Sequence, residues 1–333
     1  MNILFLIGNG FDLNVGLNTR YTDALNFYLQ ETTTDERIKK FRNDINKDFK
    51  NWADFEKRLG NYTAEYGKDK VDDFRVCVKD FKTFLIKHLK NEENKINYDL
   101  HKQEIITIFG NTLTKFYKGL NSVSHDLFKS MMAKQQQQKI NYNFITFNYT
   151  TVFDKCLNFV KQVPHQYDIG QILHIHGDTS KYPLLGVDNA DQIKNKELAD
   201  IPEIKNLIIK PAINKKLKNL NDQTAKQLIQ SSDIICLFGL SLGETDKTWW
   251  KEIGQRLYQS HVQLVIFNRD DWDPIHADEV IGNIENIENK FCAAANIDDK
   301  IKTGLLHRIH VGLNTDLFKM NLVNDKSPKS EAQ

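Results

Sequence analysis

The most constraining feature of this chain is its first segment, Asn2–Ile7, which is almost wholly apolar and runs directly into a glycine-rich turn. The turn consists of Gly8, Asn9, Gly10, Phe11 and Asp12. A short apolar run that ends in glycine is typical of a strand buried on both faces of a parallel sheet. Glycine at such a turn lets the backbone approach a phosphate closely, and the following helix directs free N–H groups at the same anion. We therefore predict a nucleotide-binding edge here.

Comparable apolar segments recur along the chain and predict the other strands. They lie at Asn143–Phe147, Ile172–His176, Ile234–Leu240, Val262–Asn268 and, as a sixth candidate, Arg308–Val311. The longer segments between them have the polar patterning of helices, and this alternation is the signature of an α/β fold. The sequence thus predicts a Rossmann-like parallel sheet, with its ligand site at the carboxyl ends of the strands.

The long stretch between the first two predicted strands shows no convincing strand pattern. Apolar residues recur at helical spacing in Val71–Leu89, Ile105–Leu120 and His125–Lys134. We therefore expect a large all-helical insertion after the first strand. The predicted domains are a Rossmann-like nucleotide-binding core at 1–20 plus 139–323, the helical insertion at 21–138 and a flexible polar tail at 324–333.

Two further segments carry loop signals. The four glutamines Gln135–Gln138 close the predicted insertion and are expected to form a solvated helix end or loop. Asp178–Asn221 mixes Gly, Pro, Asn and Lys, which predicts a loop with one short strand around Pro183–Val187.

Charge and cysteine content exclude several classes of protein. Lys and Arg number 45 against 44 Asp and Glu, so net charge gives no strong signal for nucleic acid or anionic lipid. The four cysteines form no Cys-x-x-Cys pair of the kind that ligates zinc. No segment approaches the roughly 20 apolar residues of a membrane helix. We expect a soluble, cytoplasmic protein without a membrane partner.

Polar residues follow the predicted strands at the edge where the glycine turn lies. They are Asn148 and Tyr149 after the second strand, His174 and His176 at the end of the third, and Gly239, Ser241 and Asp246 after the fourth. An asparagine amide can hold a ribose hydroxyl or position a water, and histidine can act as a base near neutral pH. We expect Asn148 and His176 to be catalytic and the others to bind a nucleotide.

Each of these residues also has a structural interpretation. Asp12 and Asp246 can cap helices, and His174 can be a structural histidine. His174 and His176 alternate along one strand and should share a face, so a metal site completed by Asp246 remains open. Gly239-Leu240-Ser241-Leu242-Gly243 matches the nucleophile elbow of hydrolases literally. The third glycine of the dinucleotide fingerprint would fall at Leu13 and is missing.

The order of these motifs resembles the AbiH-type phage abortive-infection proteins. The residues that carry the resemblance are Leu4–Leu13, Gly16–Tyr21, Trp52 with Glu56, Thr146–Thr150, His174–Gly177 and Phe238–Asp246. This resemblance spans nearly the whole chain and implies a role in phage defence, with a phage component as a candidate trigger. We also expect a homo-oligomer. For Trp52 and Glu56 themselves, core packing and helix capping are the default interpretations.

The same order is similar, more distantly, to the sirtuin-like (SIR2-like) NAD hydrolases and so implies a SIR2/DHS-like sheet. In that group an Asn and the His before a Gly carry catalysis, which here fall on Asn148 and His176. Phe11-Asp12 and Thr150 depart from the sirtuin pattern, and the absent zinc cysteines argue against a protein deacylase. The resemblance implies a glycohydrolase with NAD as its substrate and no metal. A nucleotide sensor that does not cleave its ligand, and a metal-dependent hydrolase or nuclease using His174 and His176, are the alternatives.

Overall fold

A computed structural model describes residues 1–134, 139–164, 167–269 and 276–323. Six strands form one parallel sheet. They are β1 (Asn2–Ile7), β2 (Ile140–Thr146), β3 (Tyr167–His174), β4 (Ile234–Phe238), β5 (Gln263–Asn268) and β6 (Ile309–Leu313). All six predicted strands are therefore confirmed, although β2 and β3 begin earlier than the apolar runs indicate, and β3 ends before His176.

The strand order is β3-β2-β1-β4-β5-β6, and every neighbouring pair is parallel. β1 pairs with β2 on one side and with β4 on the other, so Leu6 lies beside both Ile145 and Leu237. The connections reverse direction at this point, which is where ligands bind in open α/β sheets. The predicted Rossmann-like α/β fold is confirmed.

Fifteen α-helices lie within the described ranges. They are α1 (Gly10–Asn14), α2 (Tyr21–Tyr28), α3 (Glu36–Lys47), α4 (Phe55–Tyr62), α5 (Val71–Glu93), α6 (Tyr98–Lys115), α7 (Ser122–Lys134), α8 (Val152–Lys161), α9 (Lys196–Ala199), α10 (Pro202–Ile208), α11 (Lys210–Lys216), α12 (Asn221–Ser231), α13 (Lys247–Gln259), α14 (Ala277–Ala295) and α15 (Asp299–Leu306). The helical stretches predicted at Val71–Leu89 and His125–Lys134 are confirmed as parts of α5 and α7, and the stretch predicted at Ile105–Leu120 is confirmed up to Lys115, where α6 gives way to a 3-10 helix at Phe116–Gly119.

Alternating side chains of the sheet enter two different cores. Phe5 and Phe144 stack at 6.0 Å on the face covered by α6 and α8. Leu4 and Leu6 point to the other face, where α12, α13 and α14 pack. Because both faces are covered, the strands are apolar nearly throughout, which is why sequence pattern detects them.

Helices α2 to α5 build a third core that does not include the sheet strands. Its centre is aromatic, with Trp52, Phe55 and Phe81 fully buried and Phe55 stacked on Phe81 at 3.9 Å. Residues between 185 and 209 complete this core from the other end of the chain. In contrast, α6 and α7 pack on the sheet itself. The proposed domain boundaries remain a prediction.

The prediction of a loop over 178–221 was wrong for the second half of that segment, which is helical from Lys196, whereas 178–195 is irregular apart from a 3-10 turn at Ala190–Gln192. The segment contains α9, α10 and α11, and the predicted strand near Val187 is reduced to an isolated bridge with Ile209. The prolines misled the interpretation because they stand in the first turns of α10 and α11, where a missing N–H costs nothing.

Two predictions lie outside the described residues: the glutamine run Gln135–Gln138 and the tail from Asn324. Within the described ranges, no helix has the length and apolar character needed to cross a membrane.

Candidate functional site

The turns that follow β1 and β4 pack directly against each other at the switch point of the sheet. The Gly8 N–H donates to Phe238 O at 2.9 Å, and the Gly10 N–H donates to Gly239 O at 3.0 Å. A Cβ at Gly10 would lie 2.4 Å from the Gly239 Cα, and Gly239 has a left-handed φ of +68°. Glycine is therefore required here by the close approach of two backbones.

This packing uses N–H groups that the sequence assigns to a phosphate. Besides Gly8 and Gly10, the Phe11 N–H donates to Gly8 O at 3.0 Å. Phe11 is fully buried with its ring 5.0 Å from that of Phe153. Asn9 precedes α1 without capping it, and its Oδ1 accepts from the Thr19 hydroxyl at 2.6 Å. The phosphate role of this turn stays a prediction.

A cavity of about 540 Å³ opens beside these turns. Its walls come from the ends of β1, β2, β3 and β4 and from the helices α2, α4 and α5. They include Gly8, Asn9, Asp12, Arg20, Tyr21, Glu56, Asn148, Tyr149, Thr150, His176, Gly239, Ser241 and Asp246. The structure thus brings together most of the predicted site residues at the predicted edge of the sheet.

Asp12 and Asn148 form one side of this site. The Asn148 Nδ2 donates to Asp12 Oδ1 at 3.2 Å, and the Thr150 hydroxyl donates to Asp12 Oδ2 at 2.6 Å. Asp12 therefore holds Asn148 and does not cap α1. Burial raises the pKa of Asp12 to about 7, against the lowering effect of its two hydrogen bonds. The carboxyl group thus titrates near neutral pH.

His176 belongs to a buried cluster of charged side chains. Its Nε2 lies 2.8 Å from Asp246 Oδ1, and the Lys210 ammonium donates to the same Oδ1 at 2.8 Å and to Glu56 Oε2 at 2.8 Å. Lys210 is only 3% exposed. Burial lowers the pKa of Lys210, but Asp246 and Glu56 outweigh burial and raise it above its usual range. The lysine is held as a cation.

Glu56 connects this cluster to the opposite wall of the cavity. Its Oε1 lies 2.9 Å from the Tyr149 hydroxyl and 3.3 Å from the Tyr21 hydroxyl, and the Gly186 N–H also donates to it at 3.3 Å. Burial first, and then Glu56, raises the pKa of Tyr149 far above its usual value. Tyr149 is therefore neutral, and its single hydroxyl hydrogen is shared between Glu56 Oε1 and the Leu184 carbonyl oxygen, which lies 2.8 Å away.

Two cavity-lining residues each have one buried polar atom without a hydrogen-bond partner in the described part of the chain. These atoms are Asn148 Oδ1 and His176 Nδ1. The opposite end of each side chain is held, by Asp12 and by Asp246 respectively. Buried polar atoms are satisfied in the great majority of cases. Five other such atoms lie elsewhere among the described residues, and these two are the ones that belong to cavity-lining side chains.

His174 has a different environment from His176. Its Nε2 lies 2.8 Å from Asp154 Oδ2 on α8, and its Nδ1 lies 3.3 Å from Asn148 O. It does not appear among the described residues that line the cavity. The two rings therefore bond carboxylates that belong to opposite layers of the fold, and the expectation that they share a face was wrong. The strand ends at His174, and a turn carries His176 away.

The metal interpretation lacks a common set of ligands. His174 and His176 bond different carboxylates, and the described residues contain no group of three or more His, Cys, Asp or Glu side chains that could hold a metal ion. Asp246 precedes α13 without capping it, because its side chain is engaged by His176 and Lys210.

The nucleophile-elbow interpretation also finds no support in the geometry. In an elbow the serine itself occupies the strained turn between a strand and the helix that immediately follows. Here the left-handed residues of the motif are Gly239, with φ +68°, and Leu242, with φ +54°, and Ser241 between them is exposed. The residues 239–246 separate the end of β4 from α13. Ser241 lines the cavity, and its nucleotide-binding role stays a prediction.

Sequence interpretation missed Lys210 and undervalued Glu56. Lys210 lies in the segment predicted as a loop, and its only sequence signal is a lone lysine after the apolar run Leu207–Ile209. Glu56 stands in the first turn of α4, as capping predicts, but its carboxylate points to Lys210 and two tyrosines. Trp52 is fully buried in the aromatic core, as expected.

Comparison with known proteins extends these observations. None of the curated proteins compared with the chain matched it. The family model described as "Bacteriophage abortive infection AbiH" matches residues 4–268, which is well over half of the chain and includes every cavity-lining residue named above. The chain therefore belongs to the AbiH family of bacteriophage abortive-infection proteins.

Proposed function

We propose that this protein is an abortive-infection effector that hydrolyses NAD to nicotinamide and ADP-ribose in the cavity at the switch point of the sheet. Family membership supports a role in phage defence. The hydrolytic activity and its substrate are our proposal. It is carried by one observation: the unpartnered buried atoms Asn148 Oδ1 and His176 Nδ1.

An unsatisfied buried polar atom costs roughly 1–3 kcal/mol, so two such atoms in one cavity are expected where a ligand satisfies them. Asn148 Oδ1 can only accept a hydrogen bond, since an amide oxygen has no hydrogen. Together with His176 Nδ1 it suits a group that donates hydrogens, such as a ribose diol or a water molecule. A phosphate, which only accepts, would not satisfy Asn148 Oδ1.

The proposed reaction breaks the bond between the nicotinamide nitrogen and the ribose C1′. The bonding electrons leave with nicotinamide, which becomes neutral, and the oxygen of a water molecule bonds to C1′. That water loses one proton, for which His176 is the acceptor. Positive charge develops on the ribose during bond cleavage, and the carboxylates of Glu56 and Asp246, which share the single cation Lys210 and so leave one excess negative charge beside the cavity, favour it.

The pyrophosphate of NAD needs a separate partner. Among the described lining residues, Arg20 is the one side chain with a permanent positive charge, and it is exposed. Guanidinium pairs well with phosphate oxygens, so we assign the pyrophosphate to the rim of the cavity near Arg20. Asn9 and Ser241 are further lining groups that can donate to it.

The test is the turnover of a fluorogenic NAD analogue by the purified protein. We expect wild-type turnover, and a loss of about 100-fold or more in Asn148→Ala and His176→Ala. Matched controls are Asn206→Ala and His261→Ala, which change exposed residues outside the cavity and should leave turnover unaltered. Absence of turnover by the wild type, or turnover at the wild-type rate in Asn148→Ala and His176→Ala, would overturn the proposal.

The same preparation distinguishes the sensor alternative. Calorimetric titration with NAD, followed by product analysis after long incubation, separates binding from cleavage. Tight binding without nicotinamide release would contradict hydrolysis and favour a nucleotide-binding sensor. Loss of activity on chelation would instead revive the metal-dependent interpretation.

A further inference from the structure

We propose that Asp246 and Lys210 are positioning residues that fix His176 in the tautomer with its hydrogen on Nε2, so that Nδ1 is the proton acceptor. This inference rests on the proposed function for its catalytic consequence, but the tautomer itself is a property of the folded protein. Glu56 completes the arrangement by holding Lys210 from the other side.

The geometry determines which nitrogen carries the hydrogen. The distance of 2.8 Å between His176 Nε2 and Asp246 Oδ1 is a short hydrogen bond, and an ionised carboxylate can only accept. The hydrogen must therefore lie on Nε2. In the neutral ring this leaves Nδ1 with a free lone pair, which agrees with its lack of a partner among the described residues.

Lys210 keeps Asp246 in the ionised form that this argument needs. Burial by itself raises the pKa of Asp246, but the charge of the Lys210 ammonium, together with the hydrogen bonds from His176 and Lys210, outweighs it and holds the pKa below its usual range. Lys210 lies 3.5 Å from His176 Nε2. The Lys210 ammonium has no lone pair and can only donate hydrogen bonds. It therefore cannot accept the Nε2 hydrogen in place of Asp246.

The ring is also oriented by contacts that do not involve charge. Phe147 packs edge-on against His176 with ring centroids 5.4 Å apart, and the Leu184 N–H donates to His176 O at 2.7 Å. Gly177 follows in a left-handed conformation with φ +70°, and a Cβ there would lie 2.6 Å from Lys181 O. The backbone thus presents the ring to Asp246 in one direction only.

The decisive variant is Asp246→Ala. It removes the acceptor of the Nε2 hydrogen and leaves the Lys210 ammonium, 3.5 Å away, free to donate to Nε2, which would move the ring hydrogen to Nδ1. An asparagine would not serve, because Lys210 contacts the same Oδ1 as His176 and would keep an amide oxygen in that place. Long-range ¹H–¹⁵N correlation spectra of histidine-labelled protein report which ring nitrogen is bare, and the His176→Ala variant assigns the signal. We expect a bare Nδ1 in the wild type and a reversed tautomer in Asp246→Ala.

Kinetics provide the second readout. We expect Asp246→Ala to lower kcat by about 100-fold or more while KM changes by only a few-fold, because the substrate contacts remain. Asp154→Ala is the matched control: it breaks the other carboxylate–histidine pair at the end of β3 and does not line the cavity, so kcat should be unchanged.

The outcomes separate the two proposals. A hydrogen on Nδ1 in the wild type, or an unchanged tautomer in Asp246→Ala, would overturn this inference whatever the activity. Equal loss of kcat in Asp154→Ala would also overturn it, because the effect would then be structural. If the wild type does not cleave NAD but shows the expected tautomers, the proposed function fails and the positioning role stands.

Discussion

His174 and His176 are two residues apart in the chain, and each forms a hydrogen bond of the same length to an aspartate, yet the surroundings of the two pairs differ. His174 meets Asp154 at 2.8 Å, and His176 meets Asp246 at 2.8 Å. The first pair ties the end of β3 to α8 and to the backbone of Asn148. The second lies in the cavity wall beside a buried Lys210.

A bonded carboxylate does not by itself distinguish a structural histidine from a candidate base. The distinction lies in whether the other ring nitrogen also has a hydrogen-bond partner. Both nitrogens of His174 are engaged, one by a carboxylate and one by a backbone oxygen. His176 is engaged at Nε2 alone among the described contacts, and its Nδ1 is left over. A residue whose hydrogen-bonding capacity is already used can hold a fold together but cannot easily accept a substrate proton.

The largest effect on stability should come from removing Lys210, the cation that contacts the His176–Asp246 pair and has no counterpart among the described residues at the His174–Asp154 pair. Lys210→Met leaves Glu56 and Asp246 as buried carboxylates without a counter-charge, which should cost about 3–5 kcal/mol of unfolding free energy. Urea denaturation of the full chain measures it.

The control for this variant is Lys205→Met, which removes an exposed lysine 3.2 Å from Asp200 and should cost at most about 1 kcal/mol. Adding Glu56→Gln to Lys210→Met should restore part of the lost stability, since one of the two uncompensated charges is then gone. An equal loss of unfolding free energy in Lys210→Met and Lys205→Met would mean that Lys210 stabilises the cavity cluster no more than an ordinary surface lysine stabilises its ion pair.

The sequence predicts the strands that position this site better than it predicts the charged side chains within it. Strands such as β1 and β4 are buried on both faces and are therefore apolar throughout, so they are found by composition alone. Parallel strands place their carboxyl ends at one edge, which brings Asn148 and His176 to the same cavity. β3 was found only in part because it is an edge strand and begins with the polar residues Tyr167 and Asp168.

Lys210 could not be predicted because its partners are remote in the chain. Glu56 lies 154 positions earlier and Asp246 36 positions later, and no local spacing connects them. Similarly, strand alternation places His174 and His176 on one face only while the strand continues. The end of β3 at His174 breaks that rule, and the turn before Gly177 redirects the second ring.

A second prediction concerns Asp12, the cavity carboxyl that forms no ion pair among the described residues. Its raised pKa means that the folded state keeps a proton which the unfolded chain releases between pH 3.8 and about 7. Stability from this group therefore falls as pH rises through that window, by at most about 1.4 kcal/mol per pH unit. Asp12→Asn imitates the protonated form and should become progressively more stable than wild type across it.

Urea denaturation at several pH values between about 5 and 8 measures this difference. Asp168→Asn, at an exposed carboxylate paired with Lys139, should show no such trend. A difference between Asp12→Asn and wild type that stays constant with pH would show that Asp12 is ionised throughout, and the contrast between the uncompensated Asp12 and the Lys210-paired Asp246 would be lost.

The smallest of these effects on stability should come from breaking the structural pair of His174 and Asp154. Burial lowers the pKa of His174, but the hydrogen bond and charge of Asp154 outweigh it and raise the pKa above its usual 6.5. The stabilisation is therefore fully present below pH 6.5 and is lost as pH rises through the folded-state pKa. Asp154→Asn should cost about 1–2 kcal/mol at a pH of about 5.5 and less at a pH of about 9. Asp126→Asn, which breaks the exposed pair with His125, should cost close to nothing at either pH. If Asp154→Asn were equally harmless, His174 would be free to serve the cavity, and the division between a structural and a functional histidine would fail.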